Sequence, residues 1–349
     1  MILRSDRVRQ VLDGTTTAEL LKDVIMTPGT VPHGMVRKRR AEGPTYGAVM
    51  LVHGFGQNRY AWHTDQRSFS AYLAADGWDV FNADLRGHGR SRRFGSRRPE
   101  VLAEYIRHDL PACAREALRL SDHDQIYLVG HSMGGIVSYG AAATSMRDVV
   151  AGVASIGSPY RFGHGSIFLT SMSKLLRTLR FTGMFDSNPT VPLRLLGRHF
   201  QKRRRVWDSR FFPTPLRLWR PGSIEPPILD EYLRRAYDWT TMAIALDILK
   251  AGEEGVLDTR VGRWNYHAAF EWLDLPLLVI AGSHDLLAPP SSVRPAYDLS
   301  RSSDRIYREF PMGHLDLLVG QSAPSTVWPT LRDWLRRQAG AEAQARAAS

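Results

Sequence analysis

Segment 125–135 is an apolar run that ends in the pattern Gly-x-Ser-x-Gly and continues as a second apolar stretch. The pattern is typical of a strand, a sharp turn and a helix, with Gly130 and Gly134 leaving room for the turn around Ser132. Such a turn presents the serine hydroxyl at the carboxyl end of the strand and aims the Met133 amide at the same point. Because a serine alone is a weak nucleophile, this chemistry also needs a base, an acid that orients the base, and a second oxyanion donor.

A second glycine-rich turn follows an earlier apolar run. Residues 46–52 form a continuous apolar stretch that is typical of a strand buried on both faces, and residues 53–56, His-Gly-Phe-Gly, end it. This turn can direct the Phe55 amide toward the point that the Met133 amide faces. We therefore expect Phe55 and Met133 to form a two-amide oxyanion hole.

An acid and a base follow two further strands late in the chain. Asp285 comes shortly after the run 277–282, and His314 follows the run 305–310. Together with Ser132 they occur in the order nucleophile, acid, base that accompanies a serine turn in an open parallel α/β sheet. We predict that these three residues are catalytic, with no metal ion and no cofactor, because the sequence lacks a metal-ligand cluster and a nucleotide-binding glycine motif.

Each of these residues also has a structural interpretation. Ser132 could instead cap the helix that follows it, and His314 could be a buried structural histidine. Asp285 could cap the turn before Pro289, and Asp316 would then be the rival acid, although its place two residues after His314 favours a role at the next helix. Four suitable parts at four strand ends favour the catalytic interpretation.

Other polar residues near these turns are expected to support them. His131, beside the nucleophile, is expected to pack or to hydrogen-bond rather than to act as a second base. His53 and His88 are expected to bind loop backbone. Asp84 and Arg86 are expected to brace the loop next to residues 53–56, which we call the oxyanion turn after its expected role.

Strands and helices alternate along most of the chain. Apolar runs predict strands near 46–52, 78–84, 125–130, 149–156, 275–282 and 305–310. Helical spacing predicts helices near 63–75, after Pro99, after Ser132, near 291–300 and near 325–337, while residues 1–45 predict one or two modest strands. This order indicates an α/β fold with a doubly wound, mostly parallel sheet, in which ligands sit beyond the carboxyl ends of the strands.

The alternation stops between the two halves of this sheet. We assign residues 1–159 and 272–349 to the α/β core, and residues 160–271 to an inserted, largely helical cap with helix-like pieces at 167–180, 228–238 and 240–250. Apolar side chains of the insertion offer an acyl pocket. The candidates for substrate binding are Phe168, Met172 and Phe181.

The charge of the chain is concentrated in the insertion. The formal net charge is +11, and segment 160–220 alone carries thirteen Lys and Arg against two acids. Basic residues between 194 and 220 are interleaved with Trp207, Phe211, Phe212 and Trp219, a pattern typical of contact with an anionic membrane surface. A solvated arginine-rich cap is the alternative. No nucleic-acid-reading motif accompanies the charge, so we expect no nucleic-acid partner.

The motifs together resemble the α/β-hydrolase fold family over residues 45–338. The features are His-Gly-Phe-Gly at 53–56, segment 84–91, the serine turn, Asp285 and His314. Segment 313–320 is similar to the region around the catalytic histidine of lysosomal acid lipase-like enzymes and polyhydroxyalkanoate synthases. Those synthases carry a cysteine where this chain has Ser132, and dehalogenases and epoxide hydrolases of the fold carry an aspartate. The resemblance therefore implies hydrolysis.

The expected function is cleavage of a carboxylic ester, with a lipophilic small-molecule acyl ester as substrate. Two alternatives stay open at this point: an acyltransferase that uses the same acyl-enzyme, and a ligand-binding member of the fold without turnover. The single cysteine, Cys113, is expected to lie in the core and fits a reducing compartment. With no apolar leader or membrane-length run, we expect a cytoplasmic protein with peripheral membrane contact through the cap. The sequence does not define the oligomeric state.

Overall fold

The computed structural model describes residues 1–161, 188–212, 217–254, 257–258 and 264–348. The strands in this part of the chain are β1 (Ile2–Val11), β2 (Thr17–Met26), β3 (Gly34–Arg40), β4 (Ala48–Val52), β5 (Asp79–Asp84), β6 (Ile126–His131), β7 (Val150–Ile156), β8 (Thr190–Val191), β9 (Thr240–Thr241), β10 (Leu257–Asp258), β11 (Trp264–Asn265), β12 (Leu277–Gly282) and β13 (Arg305–Phe310).

The helices of the same ranges are α1 (Phe69–Asp76), α2 (Gly89–Arg93), α3 (Leu102–Glu104), α4 (Leu110–Leu120), α5 (Met133–Ala142), α6 (Leu193–Lys202), α7 (Arg204–Trp207), α8 (Pro226–Arg235), α9 (Met242–Glu254), α10 (Tyr266–Glu271), α11 (Pro290–Val293), α12 (Pro295–Asp298), α13 (Asp316–Val319) and α14 (Val327–Ala348). A π-helical turn, Tyr105–Asp109, joins α3 to α4, and 3₁₀ turns occupy Arg59–Trp62 and Ala323–Ser325.

The main sheet has the strand order β1-β2-β3-β5-β4-β6-β7-β12-β13. The pairs β1/β2, β2/β3 and β3/β5 are antiparallel, whereas β5, β4, β6, β7, β12 and β13 pair in parallel. The predicted doubly wound, mostly parallel α/β sheet is confirmed. Because the parallel strands share one direction, the turns after β4, β6, β12 and β13 meet at one edge of the sheet.

Helices cover both faces of the sheet. On one face α4 and α5 pack residues such as Cys113 and Ile136 into a core with the inner strands, and Cys113 is buried as expected. On the other face α1 and α14 contribute Phe69 and Trp328. Strands β4, β6 and β12 are fully buried, which explains why their sequences are continuous apolar runs.

The amino-terminal region contains three antiparallel strands rather than one or two. β1 is an edge strand with mostly exposed side chains. Charged edge strands resist pairing with other chains, and they lack the apolar pattern by which buried strands are recognised. The sequence analysis missed β1 for this reason. The strand is held by its pairing with β2 over nearly its whole length.

Several helix boundaries differ from the sequence prediction for local reasons. The helix predicted near 63–75 begins only after Ser68, whose side chain accepts a hydrogen bond from the Ala71 amide. The helix predicted near 291–300 is divided into α11 and α12 at Pro295, which cannot continue a helical hydrogen-bond ladder. The predicted helix-like piece at 167–180 lies outside the described residues, whereas α8 and α9 correspond to the pieces at 228–238 and 240–250. No helix among the described residues is both long enough and apolar enough to cross a membrane.

Candidate active site

Ser132 lies in the turn between β6 and α5. Its backbone has φ 54° and ψ −123°, a conformation that costs a residue with a side chain on the order of 1–3 kcal/mol. Ser132 occupies the N-cap position of α5, yet its side chain makes no capping hydrogen bond within the described chain. The geometry therefore does not support a capping role for Ser132, which instead lines a cavity.

The two glycines around Ser132 are required by close backbone packing. A Cβ atom on Gly130 would lie 2.4 Å from the Gly134 backbone, and one on Gly134 would lie 2.2 Å from the carbonyl oxygen of Val52 at the end of β4. Neither position has space for a side chain. The two glycines therefore allow α5 to start directly against the end of β4.

Asp285 and His314 are brought together from the ends of β12 and β13. His314 Nδ1 donates to Asp285 Oδ2 at 2.7 Å, and both side chains are buried. Asp285 Oδ1 accepts from the amides of Leu287 and Ala288 at 2.9 and 2.8 Å. Asp285 thus caps its turn with one oxygen and accepts from His314 with the other, so the geometry is compatible with both sequence interpretations. Donation from Nδ1 leaves His314 Nε2 as the proton acceptor of the neutral ring.

Asp316, the rival acid, is engaged elsewhere. Its Oδ2 accepts from the Gly313 amide at 2.7 Å and from the Arg220 amide at 3.1 Å, and its Oδ1 accepts from Ser223 Oγ at 2.7 Å. Burial raises the pKa of Asp316 above its usual value. Asp316 therefore ties the His314 loop to segment 220–223, while its contacts do not include the imidazole of His314.

His131 is packed directly against His314. Their ring centroids are 4.6 Å apart, and His131 Nε2 lies 3.3 Å from the His314 carbonyl oxygen. Burial, and secondly the charge that His314 can carry, lower the pKa of His131 well below its usual value. A neutral His131 packs against His314 and donates a hydrogen bond to it. This agrees with the expectation from sequence that His131 is not a second base.

The oxyanion turn after β4 packs onto the serine turn. A Cβ on Gly54 would lie 3.2 Å from Ser132 Cβ, and Phe55 and Met133 line the same cavity as Ser132. The first amides of a helix have no acceptor within the helix. Neither the Phe55 nor the Met133 amide donates to another part of the described chain, so both are available to an oxyanion.

Gln57 is a site residue that the sequence analysis missed. Its Oε1 accepts from the Gly54 amide at 3.1 Å, and its Nε2 donates to the hydroxyl of Tyr232 on α8 at 2.9 Å. It therefore holds the oxyanion turn from the side of the insertion. Its spacing of three residues from Gly54 could have indicated the first contact, because polar side chains often hydrogen-bond to backbone three residues earlier. The second partner, Tyr232, lies 175 residues away and has no such signal in the sequence.

His53 connects the oxyanion turn to the loop after β5. Its Nε2 accepts from the Leu85 amide at 3.1 Å, which leaves Nδ1 to donate to the Gly54 carbonyl at 2.9 Å. Burial lowers the pKa of His53 to about 3, with a further contribution from neighbouring His88. His88 Nδ1 lies 2.8 Å from the Arg86 carbonyl oxygen. Both histidines thus bind loop backbone as expected.

Asp84 and Arg86 brace the loop after β5 through buried ion pairs. Asp84 accepts from the amide and the guanidinium of Arg59, each at 2.7 Å. Arg86 donates to Asp109 at 2.7 Å and to Glu104 at 2.6 Å. These pairs anchor the segments on both sides of the oxyanion turn without entering the cavity.

A cavity of about 490 Å³ opens in front of Ser132. Ser132, His314, Phe55 and Met133 lie at its polar end, and Asp285 stands behind His314. The remaining described lining is almost wholly apolar and comes largely from α6 and α9; its members include Leu193, Leu196, Phe200, Met242, Ala245, Ile248 and Leu249. The predicted substrate-binding residues Phe168, Met172 and Phe181 lie outside the described residues.

Comparison with known proteins agrees with this architecture. The alpha/beta hydrolase fold family matches residues 47–212. Lipase member K of Mus musculus is 23% identical over 342 residues, covering 86% of this chain and 82% of that protein. A poly(3-hydroxyalkanoate) polymerase subunit of Haloferax mediterranei is 25% identical over 277 residues, covering 77% of this chain and 54% of that protein. The chain therefore spans about half the length of that polymerase subunit.

A solved structure has a similar overall fold. The monoacylglycerol lipase of Paleococcus ferrophilus aligns with a TM-score of 0.59 at 19% identity, covering 88% of this chain and 99% of that chain. The chain has the α/β-hydrolase fold, as its motifs indicated. Proteins similar to this chain include a lysosomal acid lipase/cholesteryl ester hydrolase of Homo sapiens and the poly(3-hydroxyalkanoate) polymerase subunit, the two kinds of enzyme that segment 313–320 resembles.

Proposed function

We propose that this protein is a serine-dependent carboxylic ester hydrolase that acts on a lipophilic acyl ester. The observation that carries the proposal is the oriented Asp285–His314 pair at the polar end of an apolar cavity that Ser132 also lines. The cavity volume lies in the roughly 300–1,000 Å³ range of small-molecule sites. Ester hydrolysis also agrees with the names of the relatives, lipase member K among them.

The geometry supports a two-step reaction through an acyl-enzyme. Ser132 Oγ attacks the ester carbonyl carbon while His314 Nε2 takes the hydroxyl proton, and Asp285 holds the imidazolium that forms. The amides of Phe55 and Met133 bind the oxyanion, each contributing on the order of 3 kcal/mol to the transition state. His314 then returns the proton to the leaving alcohol. Water activated by the same nitrogen releases the acid and restores the serine.

The cavity lining also supports the proposed division into core and cap. The polar end comes from turns of the sheet, whereas α6 and α9 of segment 160–271 supply much of the apolar part. A Cβ on Gly56 would lie 2.1 Å from Leu193, so α6 packs directly on the oxyanion turn. We infer that residues 160–271 form a cap that shapes the acyl site, with residues 1–159 and 272–349 as the core.

Acyl transfer is the second candidate function, because the polymerase similarity extends over most of this chain. A panel of p-nitrophenyl esters from butanoate to hexadecanoate, assayed with and without added glycerol, tests both candidates. Free fatty acid as the main product supports hydrolysis, and acylglycerol as the main product supports transfer. No turnover of any ester by folded protein would leave only a ligand-binding role.

Filling the acyl cavity should shorten the preferred acyl chain. Each methylene that enters the cavity contributes about 0.8 kcal/mol, so wild-type kcat/KM should rise about fourfold per carbon until the cavity is full. Ala245→Trp on α9 places a large ring in the lining. We expect it to lower kcat/KM for dodecanoate by about tenfold or more through overpacking, while butanoate hydrolysis stays near wild type.

The matched control for this change is Ala243→Trp. Ala243 lies on the same helix with similar partial exposure but outside the cavity lining, and its substitution should leave the chain-length profile unchanged. Equal loss of butanoate and dodecanoate hydrolysis in Ala245→Trp would show that the cavity is not the acyl site.

We also propose that the cap contacts an anionic membrane, but through different residues from those that the sequence suggested. Trp219 is buried, and Trp207 packs edge-on against Phe200 and Phe212, so these aromatic rings form an internal cluster rather than a membrane-facing set. In the described part of the same stretch the exposed apolar residues outside the acyl cavity are Leu195, Val206 and Phe211, with Phe211 95% exposed. Exposed apolar side chains among arginines are what an anionic interface attracts.

Vesicle sedimentation tests this membrane proposal. We expect binding to vesicles of phosphatidylcholine with phosphatidylglycerol, weak binding to phosphatidylcholine alone, and a loss of about tenfold in binding for Phe211→Ser, since a large apolar side chain contributes about 1.5–3 kcal/mol on burial. Equal and negligible sedimentation with both vesicle types would disprove it.

A further inference from the structure

A second cavity, of about 680 Å³, lies next to the acyl cavity and has the opposite character. We call it the arginine basin. Its described lining is Asn58, Arg59, Tyr60, Gly89, Arg92, Arg93, Arg194, Arg198, Arg234, Arg235, Tyr237 and Asp238. Seven of these residues are arginines, and they come from the turn after β4 and from α2, α6 and α8.

Most of these guanidinium groups have no acidic partner among the residues that the structure describes. Arg59 is paired with Asp84, and Arg235 is paired with Asp65 and Glu231. For the other five, no carboxylate lies within ion-pair distance in the described parts of the chain; these are Arg92, Arg93, Arg194, Arg198 and Arg234. All five are exposed. Like charges converging from three helices repel one another, so the basin has a field that attracts an anion.

Asp238 is the single acid of the described lining, and one of its carboxylate oxygens is engaged by neighbouring loops. One oxygen, Oδ2, accepts from Asn58 Nδ2 and from the Gly89 amide, each at 2.8 Å. The carboxylate is buried at the floor of the basin. It therefore organises the turn after β4, and its single negative charge offsets only part of the charge of the seven arginines.

Helix α6 separates the two cavities and lines both. Leu193, Leu196 and Phe200 face the acyl cavity, whereas Arg194 and Arg198, one helical turn apart, face the basin. A Cβ on Gly197 would lie 2.5 Å from the Leu233 carbonyl oxygen of α8, which holds the two helices in close contact. One helix thus presents an apolar stripe to one chamber and cations to the other.

The basin is also close to the proposed oxyanion turn. Asn58, in its lining, is three residues after Phe55, and three residues span at most about 11 Å. The turn is fixed to the segment after α8, because Asn58 N donates to the Ala236 carbonyl at 2.9 Å and Asp238 N donates to the Gly56 carbonyl at 2.8 Å. Tyr237 lines both cavities. The two cavities therefore adjoin at this residue.

We propose that the arginine basin is a subsite for phosphate, and that it binds a phosphate group on the leaving-alcohol part of the ester substrate. Guanidinium groups match phosphate oxygens in geometry and charge. The inference rests on the proposed ester hydrolysis, because it assigns the acyl chain to the apolar cavity and the phosphate to the basin. The preferred substrate is then an amphiphile with one fatty acyl ester and a phosphate on its alcohol part.

Binding to the basin is tested first without any ester. Inorganic tripolyphosphate is titrated into the full-length protein by calorimetry, in buffer with about 150 mM salt to screen diffuse charge. We expect wild type to bind, and Arg194→Gln/Arg198→Gln/Arg234→Gln to lose at least about a hundredfold in affinity. Arg147→Gln is the matched control, an exposed arginine before β7, at the opposite end of the strands. The corresponding triple lysine variant, which keeps the charge, should retain most of the binding.

The kinetic test uses two esters that differ only in the phosphate, 1-lauroylglycerol 3-phosphate and 1-lauroylglycerol, both as monomers in solution. Wild type should prefer the phosphate ester by about a hundredfold in kcat/KM. The triple glutamine variant should lose that preference while hydrolysing 1-lauroylglycerol like wild type. Tripolyphosphate should inhibit hydrolysis of the phosphate ester competitively.

The outcomes separate this inference from the proposed function. No hydrolysis of either ester by wild type contradicts the hydrolase proposal itself. Hydrolysis of both esters at equal rates contradicts only the phosphate subsite, even if tripolyphosphate binds. A triple glutamine variant that loses sedimentation with anionic vesicles but keeps its soluble kinetics would assign the basin to a lipid headgroup surface and overturn the substrate role.

Discussion

Ser132→Ala should lower kcat for p-nitrophenyl ester hydrolysis by about 10⁶-fold, the loss expected when a nucleophile is removed from a serine hydrolase. Attack by Ser132 Oγ creates the acyl-enzyme, and no other described hydroxyl group lies in the cavity together with His314 except that of Tyr237. The measurement is the absorbance of the released nitrophenol, followed at a single wavelength. A fluorophosphonate probe should label wild type and not the variant.

Ser138→Ala is the matched control for this substitution. Ser138 lies on α5, the helix that follows Ser132, and its hydroxyl donates to the Gly134 carbonyl at 2.7 Å. Loss of this hydroxyl should cost about 1 kcal/mol of stability and leave kcat near wild type. Ser132→Ala should unfold at a temperature at least as high as wild type, because it removes no hydrogen bond of the described structure. Equal activity of Ser132→Ala and wild type would refute a serine nucleophile.

Asp285→Asn should lower kcat by about 10⁴-fold. The carboxylate accepts from His314 Nδ1 at 2.7 Å and thereby fixes Nε2 as the nitrogen that faces the nucleophile. An amide nitrogen in its place would donate to Nδ1, stabilise the wrong tautomer and leave the imidazolium without a counter-charge. Steady-state kinetics should show the loss in kcat with little change in KM, because Asp285 does not line the cavity.

Asp316→Asn distinguishes the two acids near His314. With its oxygen at the Oδ1 position, Asn can still accept from Ser223 Oγ and, at 3.4 Å, from Arg220 N. We therefore expect kcat within about tenfold of wild type and a stability loss of about 1–3 kcal/mol from the lost Gly313 hydrogen bond. If Asp316→Asn rather than Asp285→Asn abolished turnover in folded protein, the assignment of the orienting acid would be reversed.

The serine turn could be predicted from sequence because its requirements are local. Gly130 and Gly134 are needed where the backbone of α5 meets the end of β4, and this need is expressed within five residues. The buried strands β4, β6 and β12 could be predicted for a similar reason, since burial on both faces demands an unbroken apolar run. The edge strand β1 is mostly exposed and needs no apolar run, so its charged sequence did not identify it as a strand.

The roles of neighbouring polar residues depended on contacts between distant segments. Sequence order favoured Asp285, but only the pairing of β12 with β13 brings its carboxylate to His314 and turns Asp316 toward segment 220–223. Gln57 gained its role from Tyr232 on α8. The apolar and basic residues of the insertion were visible as composition. Their separation into an acyl cavity and an arginine basin was not.

The sequence by itself therefore determined the α/β fold, the serine turn and the chemical types at each strand end, because these follow from local backbone geometry and from burial. The tertiary structure decided which side chains meet. It placed α6 between two cavities, with Leu193 on one side and Arg194 on the other, through packing of α6 on the oxyanion turn and on α8. Such packing joins residues far apart in the chain, and no local pattern encodes it.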